Sequence, residues 1–123
     1  MDEIGAFFGN DSAAEICRTL EAALAARYPS MRRDVQKTQI SYRDGGLFCC
    51  VSRPKRARDA WRAVVTFGLP FPVPDARVWQ AVPVSPGRWT HHVLLSRPED
   101  VDEPLLAWID ASRQMALRGR KGR

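Results

Sequence analysis

The chain has 123 residues, 45% of them hydrophobic and 27% charged, with a formal net charge of +5. That length supports one core without disulfides or metal, and the composition excludes disordered, fibrous and low-complexity classes. No run reaches the roughly 18 apolar residues of a membrane span, and "MDEIGAFFGN" opens with two acids where a secretory leader carries positive charge, so the expectation is no membrane contact and a cytoplasmic location.

In chain order, a short apolar start with Phe7 and Phe8 precedes "GNDSAAE". There Ser12 and Glu15 form a capping box that predicts a helix from about Ser12 to Arg27. Ile16, Leu20, Ala23 and Leu24 fall on one face of it and demand a partner to bury them. Pro29 ends the element, because proline disfavours helix in the residue before it.

The period then changes to two. "DVQKTQISY" reads as one strand, with Val35, Lys37, Gln39 and Ser41 on one face and Gln36, Thr38, Ile40 and Tyr42 on the other. "RDGG" is a hairpin turn and "LFCCVS" its partner strand. After an arginine-rich loop, "AWRAVVTF" predicts a third strand over Ala60 to Phe67. "GLPFPVPDA" has too many prolines for a helix or a central strand. "RVWQAVPV" and "RWTHHVLL" flank "SPG" as a second hairpin, in which Pro83 requires an edge or a bulge. Asp102 caps a last helix that carries Pro104 in its first turn, buries Leu105, Trp108, Ile109 and Ser112, and ends at Gly119. The expected fold is α+β: one or more N-terminal helices, a five-stranded, mainly antiparallel sheet, and a C-terminal helix.

Four positive charges, Arg118, Arg120, Lys121 and Arg123, lie in the last six residues. The expected organisation is therefore a single domain over 1–117, close to neutral, with 118–123 a basic, flexible tail. The three cysteines, Cys17, Cys49 and Cys50, lack the spacing of a disulfide framework and read as reduced thiols. No Cys or His pair has zinc-site spacing, and no glycine-rich phosphate loop or nucleophile motif occurs, so neither metal nor cofactor is expected.

"DVQKTQISYR", "LFCCVSRP", "VVTFGLP", "GRWTHHVLLS" and "DVDEPLLAWI", in that order, resemble a family of small bacterial proteins catalogued as domain of unknown function number 5655. That family is distantly similar to YdhG-like and YjbR-like domains. The resemblance runs from about Asp2 to the end of the last helix and is most specific in "QKTQIS" and "RWTHHV". It implies a compact α+β domain with an antiparallel sheet. DNA binding has been proposed for YjbR-like relatives, so nucleic acid enters by analogy. The chain departs from the family pattern where "DASRQMA" replaces an Ala-Tyr or Ala-Trp pair.

Two groups of side chains carry chemistry. His91 and His92 are neighbours on a strand and so point to opposite faces, His91 with Trp89 and His92 with Thr90. They cannot both ligate one metal ion without a bulge; one is expected inward as a satisfied core imidazole and the other outward, able to act as acid, base or anion donor. Lys37 is an uncommon strand residue, and with Gln39 and Ser41 it makes a polar stripe able to hold a phosphate or carboxylate; the simpler reading is an ordinary wet sheet face. Arg53, Lys55, Arg56, Arg58 and Arg62 form a basic segment able to contact nucleic acid, or merely a solvated loop. Trp61, Trp79 and Trp89 stand beside arginines as stacking platforms or as ordinary packing.

The leading expectation is a non-catalytic binding domain whose open sheet face accepts an anionic ligand, either nucleic acid or a phosphorylated small molecule, through Lys37, Gln39, Ser41, Trp89 and one of the histidines. One alternative is a small enzyme in which Lys37 and a histidine converge on one concavity for acid-base work. A second is a protein-interaction module marked by exposed Phe7, Phe8 or "LPFPVP".

Overall fold

The computed structural model describes residues 2–121, with side chains through Arg118. Helix α1 (Glu3–Phe8) is opened by the Asp2 carboxylate, which accepts the Gly5 N–H at 2.8 Å, and closed by Gly9 at φ 60°. Helix α2 spans Asp11–Arg27. Its cap is Asn10 rather than Ser12: the Asn10 side chain accepts from the backbone of Ser12 and Ala13. "NDS" offers three capping residues in a row, and the one directly after the Gly9 turn has the extended backbone a cap needs. The predicted stripe is buried, with Ile16, Leu20 and Leu24 at 0% exposure, joined by Ala13, Ala14 and Cys17.

The sheet has six strands, not five. What the alternation presents as one strand is a hairpin, β1 (Arg32–Val35) and β2 (Ile40–Arg43), turning through residues 36–39 with the Gln36 N–H on the Gln39 carbonyl at 2.8 Å. Val35 lies opposite Ile40 and shares its face, the reverse of the single-strand reading. The rest are β3 (Leu47–Ser52), β4 (Ala63–Leu69), β5 (Val78–Ser85) and β6 (Arg88–Leu95). Their order across the sheet is β1-β2-β3-β4-β6-β5, with all neighbours antiparallel. Pro83 sits on edge strand β5, where a missing N–H costs no ladder bond. Strand β4 starts three residues later than expected, because a 3-10 turn over Ala57–Asp59 and the Arg62 N–H bond to the Asp59 carbonyl use up Ala60 to Arg62.

Helix α3 (Glu103–Lys121) is capped by Asp102, which accepts the Leu105 N–H at 3.1 Å. It runs past Gly119, where a stop was expected; the tail side chains beyond Arg118, and residues 122–123 entirely, lie outside the described residues. All three helices lie on one side of the sheet. There the row Val35, Ile40, Val51, Val65, Val93 and Val78 crosses all six strands, each residue paired with the next, and packs against Leu20, Leu24, Leu105 and Ile109. Burying such a row is the main source of stability, about 1.5–3 kcal/mol per large side chain.

One α3 residue enters the sheet itself. Strands β3 and β4 pair only where Cys50–Ser52 meets Val64–Thr66, and beyond that point they diverge. Ser112, 5% exposed, bridges the opening: its Oγ accepts the Gly68 N–H at 3.1 Å and donates to the Phe48 carbonyl at 2.8 Å. A hydroxyl at this helix position thus satisfies both backbone groups that the missing ladder leaves over.

Candidate functional site

The two histidines take opposite faces. His91 points to the helices, has 0% exposure, and stacks on Phe67 with ring centroids 5.6 Å apart. Its Nε2 accepts the Val73 N–H at 3.1 Å, which requires the proton on Nδ1, and Nδ1 donates to the Trp89 carbonyl at 3.1 Å. The bond to Val73 fastens the proline-rich connection to the sheet. In "LPFPVP" Phe71 and Val73 each stand between two prolines with an N–H to give, and His91 takes that of Val73. Burial holds the His91 pKa below the usual imidazole range. His91 is therefore a structural residue, and Trp89 shares its face by strand parity.

His92 points to the open face. It lies in a polar row one residue removed from the apolar one: Asp34, Ser41, Cys50, Thr66, His92 and Gln80 are successive partners across the strands. Its Nδ1 lies 3.0 Å from Thr66 Oγ1. Burial first, then the Lys55 charge, holds its pKa below the ordinary value. Gln39 and Ser41 belong to this face: Gln39 Nε2 donates to Ser41 Oγ at 2.9 Å and to Cys50 Sγ at 3.3 Å, and Ser41 Oγ donates to Gln36 Oε1 at 2.8 Å. Cys50 is partly buried and its thiol is pushed up by that burial.

Lys37 does not complete this stripe. It sits exposed in the β1–β2 turn, and it is not among the residues lining the hollow that contains His92. The basic segment divides as well. Arg53 is committed to the fold, donating to the Phe7 carbonyl at 2.7 Å and the Lys37 carbonyl at 3.1 Å with its guanidinium 4.5 Å from the Phe7 ring centroid. Arg62 lies over Trp61 and pairs with Asp59 at 3.8 Å. Among the described residues the side chains of Lys55, Arg56 and Arg58 make no hydrogen bond or ion pair.

What sequence parity missed is Trp79. Register slips between Val78 and Gln80, so a bulge breaks the alternation of β5. Trp79 and Gln80, neighbours in sequence, consequently both face the open side, the kind of re-aiming a bulge provides. Trp79 is 49% exposed, and its ring centroid is 5.5 Å from that of His92. Two adjoining hollows result, of about 320 Å³ and 460 Å³, sharing Lys55, Val64, Trp79 and Gln80. The smaller reaches the polar row at Gln39, Cys50, Thr66 and His92; the larger reaches Arg56, Asp59 and Leu94. One side is the edge strand, the other the 53–59 loop, and the floor is sheet.

Among the described residues no three His, Cys, Asp or Glu side chains gather as a metal site, and no helix is long and apolar enough to cross a membrane. Phe7 and Phe8 are buried against each other edge to face, whereas Phe71 is 58% exposed. No curated protein and no solved structure matches the chain. A family model does match, over residues 5–115, and the chain accordingly belongs to the family described as Domain of unknown function (DUF5655).

Proposed function

We propose that this protein is a non-catalytic binding domain that accepts an anionic ligand on the open face of its sheet, in the double hollow between β5 and the 53–59 loop. The observation that carries the reading is Lys55 and Arg56 at the rim of a concave site, free of internal partners, beside a half-exposed tryptophan. Cations left without carboxylate partners in a concavity raise the local concentration of anions. The combined volume lies in the range of small-molecule sites. A phosphorylated small molecule and a short nucleic-acid strand both carry the required charge. With Arg53 and Arg62 bound internally, the segment keeps three free cations among the described residues, which favours the small molecule over a long polyanion.

An acid-base enzyme built on Lys37 and a histidine gains no support, because Lys37 does not share the concavity of His92 and His91 is sealed on the other face. Titration of the whole chain with a phosphorylated sugar and with a short single-stranded oligonucleotide, each at low and high salt, tests the proposal. Affinity that falls with salt and is lost in Lys55→Glu supports it; no binding, or binding indifferent to salt and to that substitution, refutes it.

A further inference from the structure

The open face is polar along the row from Asp34 to Gln80, yet one apolar shelf interrupts it. Val64 and Leu94 are direct cross-strand partners on β4 and β6, two residues along from the Thr66–His92 pair and on the same face. Directly opposed side chains stand about 5 Å apart; Val64 is only 6% exposed and Leu94 partly exposed, so the apolar floor shown to the hollow is mainly Leu94 with the edge of Val64 beside it. Trp79 lines the same hollow, and its exposure is unusual for a residue whose burial would be worth much to the core. Lys55 and Arg56 stand at the lip, and Gln80 supplies an amide that both donates and accepts. Asp59 also lines this hollow but pairs with Arg62, which offsets its charge.

Resting on the anion-binding reading above, we infer that the ligand is a planar heteroaromatic carrying a phosphate, of nucleoside-monophosphate size, its ring on the Val64–Leu94 shelf against Trp79 and its phosphate at Lys55 and Arg56. An anion without a ring would use the lip and leave Leu94 and the tryptophan wet. A ring without charge would leave two cations unpaired. Stacking on an aromatic side chain contributes about 1–3 kcal/mol by alanine substitution, and charge-assisted bonds to phosphate are about twice as strong as neutral ones. The two parts of the site therefore separate experimentally.

The test is calorimetric titration of the whole chain with adenosine 5′-monophosphate, ribose 5-phosphate, adenosine, inorganic phosphate and a short single-stranded oligonucleotide. The inference expects the nucleotide to bind at least about tenfold more tightly than ribose 5-phosphate, the lower end of the stacking range. Trp79→Ala is expected to bring that ratio to within about twofold, and Trp79→Phe to keep most of it. Lys55→Gln weakens nucleotide and ribose 5-phosphate together. If ribose 5-phosphate binds as tightly as the nucleotide, or if Trp79→Ala leaves the ratio unchanged, the ring assignment is overturned while anion binding stands. If none of the phosphate-bearing probes binds, the oligonucleotide included, both fall. If only an oligonucleotide binds, the small-molecule assignment is overturned in favour of a nucleic-acid strand.

Discussion

The two faces of this sheet are built from the same strands and obey different rules. On the helix side an apolar row crosses all six strands, and polar groups admitted there, such as His91 and Ser112, are tied by two hydrogen bonds each. On the open side the next row is Ser41, Cys50, Thr66, His92 and Gln80; Ser41 is buried and bonded to Gln36 and Gln39, while Lys55 and Arg56 beside the β5 end of the row have no internal partner among the described residues. Adjacent histidines show the contrast within one residue type: His91 is sealed and fully bonded, whereas His92 lines a hollow. A buried polar side chain is thus accountable to the fold, as Ser41 is even on the open face, whereas those that line the hollow are free to meet a ligand.

Substitutions on the two faces should differ accordingly, and the largest effect is expected on the helix side. Ile40→Ala leaves a cavity among the residues of α2 and the central strands and is expected to cost about 2–5 kcal/mol, read by urea unfolding. Thr66→Ala on the other face of the same sheet should cost less than about 1.5 kcal/mol, the worth of one ordinary hydrogen bond. Comparable losses at the two positions would break the distinction between the faces.

Next comes Ser112→Ala. It leaves the Gly68 N–H and the Phe48 carbonyl unpaired where β3 and β4 diverge, and about 2–3 kcal/mol of destabilisation is expected from orphaned buried groups. Ser112→Thr keeps the hydroxyl and should recover part of the loss. A Ser112→Ala protein as stable as the parent would show that the helix does not bridge the strands.

Acid sharpens the comparison between the histidines. Burial lowers the pKa of both in the folded protein, with Lys55 adding to the effect at His92. On acidification the unfolded chain takes up protons near pH 6.5 while the folded chain does so only at lower pH, so this contribution to stability is complete above about pH 6.5 and is lost as pH falls below it. Protonating His91 also removes the acceptor for Val73. Stability should therefore be flat above neutrality and decline below about pH 6.5, and the protection of the Val73 amide, its exchange rate taken against the intrinsic rate at each pH, should fall over the same interval. His91→Gln, less stable at neutral pH, should show a shallower decline; an unaltered pH profile would contradict the role given to His91.

The smallest stability effects belong to the site. Lys55→Gln and Trp79→Ala should change folding free energy by about 0.5 kcal/mol or less, as surface substitutions usually do, while abolishing or weakening ligand binding. Lys37→Ala, on the turn, should change neither. Weakened binding in Lys37→Ala would return that residue to the site.

Much of the architecture was legible because local chemistry fixes it: "RDGG" and "SPG" turn where glycines reach φ 81° and 71°, Pro83 marks an edge strand, and Asp102 caps α3. The β1–β2 hairpin was not, for a specific reason. "QKTQ" contains none of the residues that punctuate turns, and because Val35 faces Ile40 across the hairpin, the alternation of polar and apolar residues runs on with only its phase changed. The same hidden turn takes Lys37 out of the strand on which alternation alone puts it. Gln39, Ser41 and the opposite facing of His91 and His92 followed from parity and stand where parity put them. Trp79 was weighed as a stacking platform but did not emerge as the wall of a site, since the bulge between Val78 and Gln80 and the insertion of β6 between β4 and β5 are long-range facts without a local signature.

The most direct test of the central claim is a map of amide and indole chemical shifts during titration with adenosine 5′-monophosphate. Shifts are expected to concentrate on Lys55, Val64, Trp79, Gln80, His92 and Leu94, including the Trp79 indole N–H, with the Lys37 turn and the three helices unmoved. Shifts confined to the helix face or to the Lys37 turn, or none at saturating nucleotide, would contradict it.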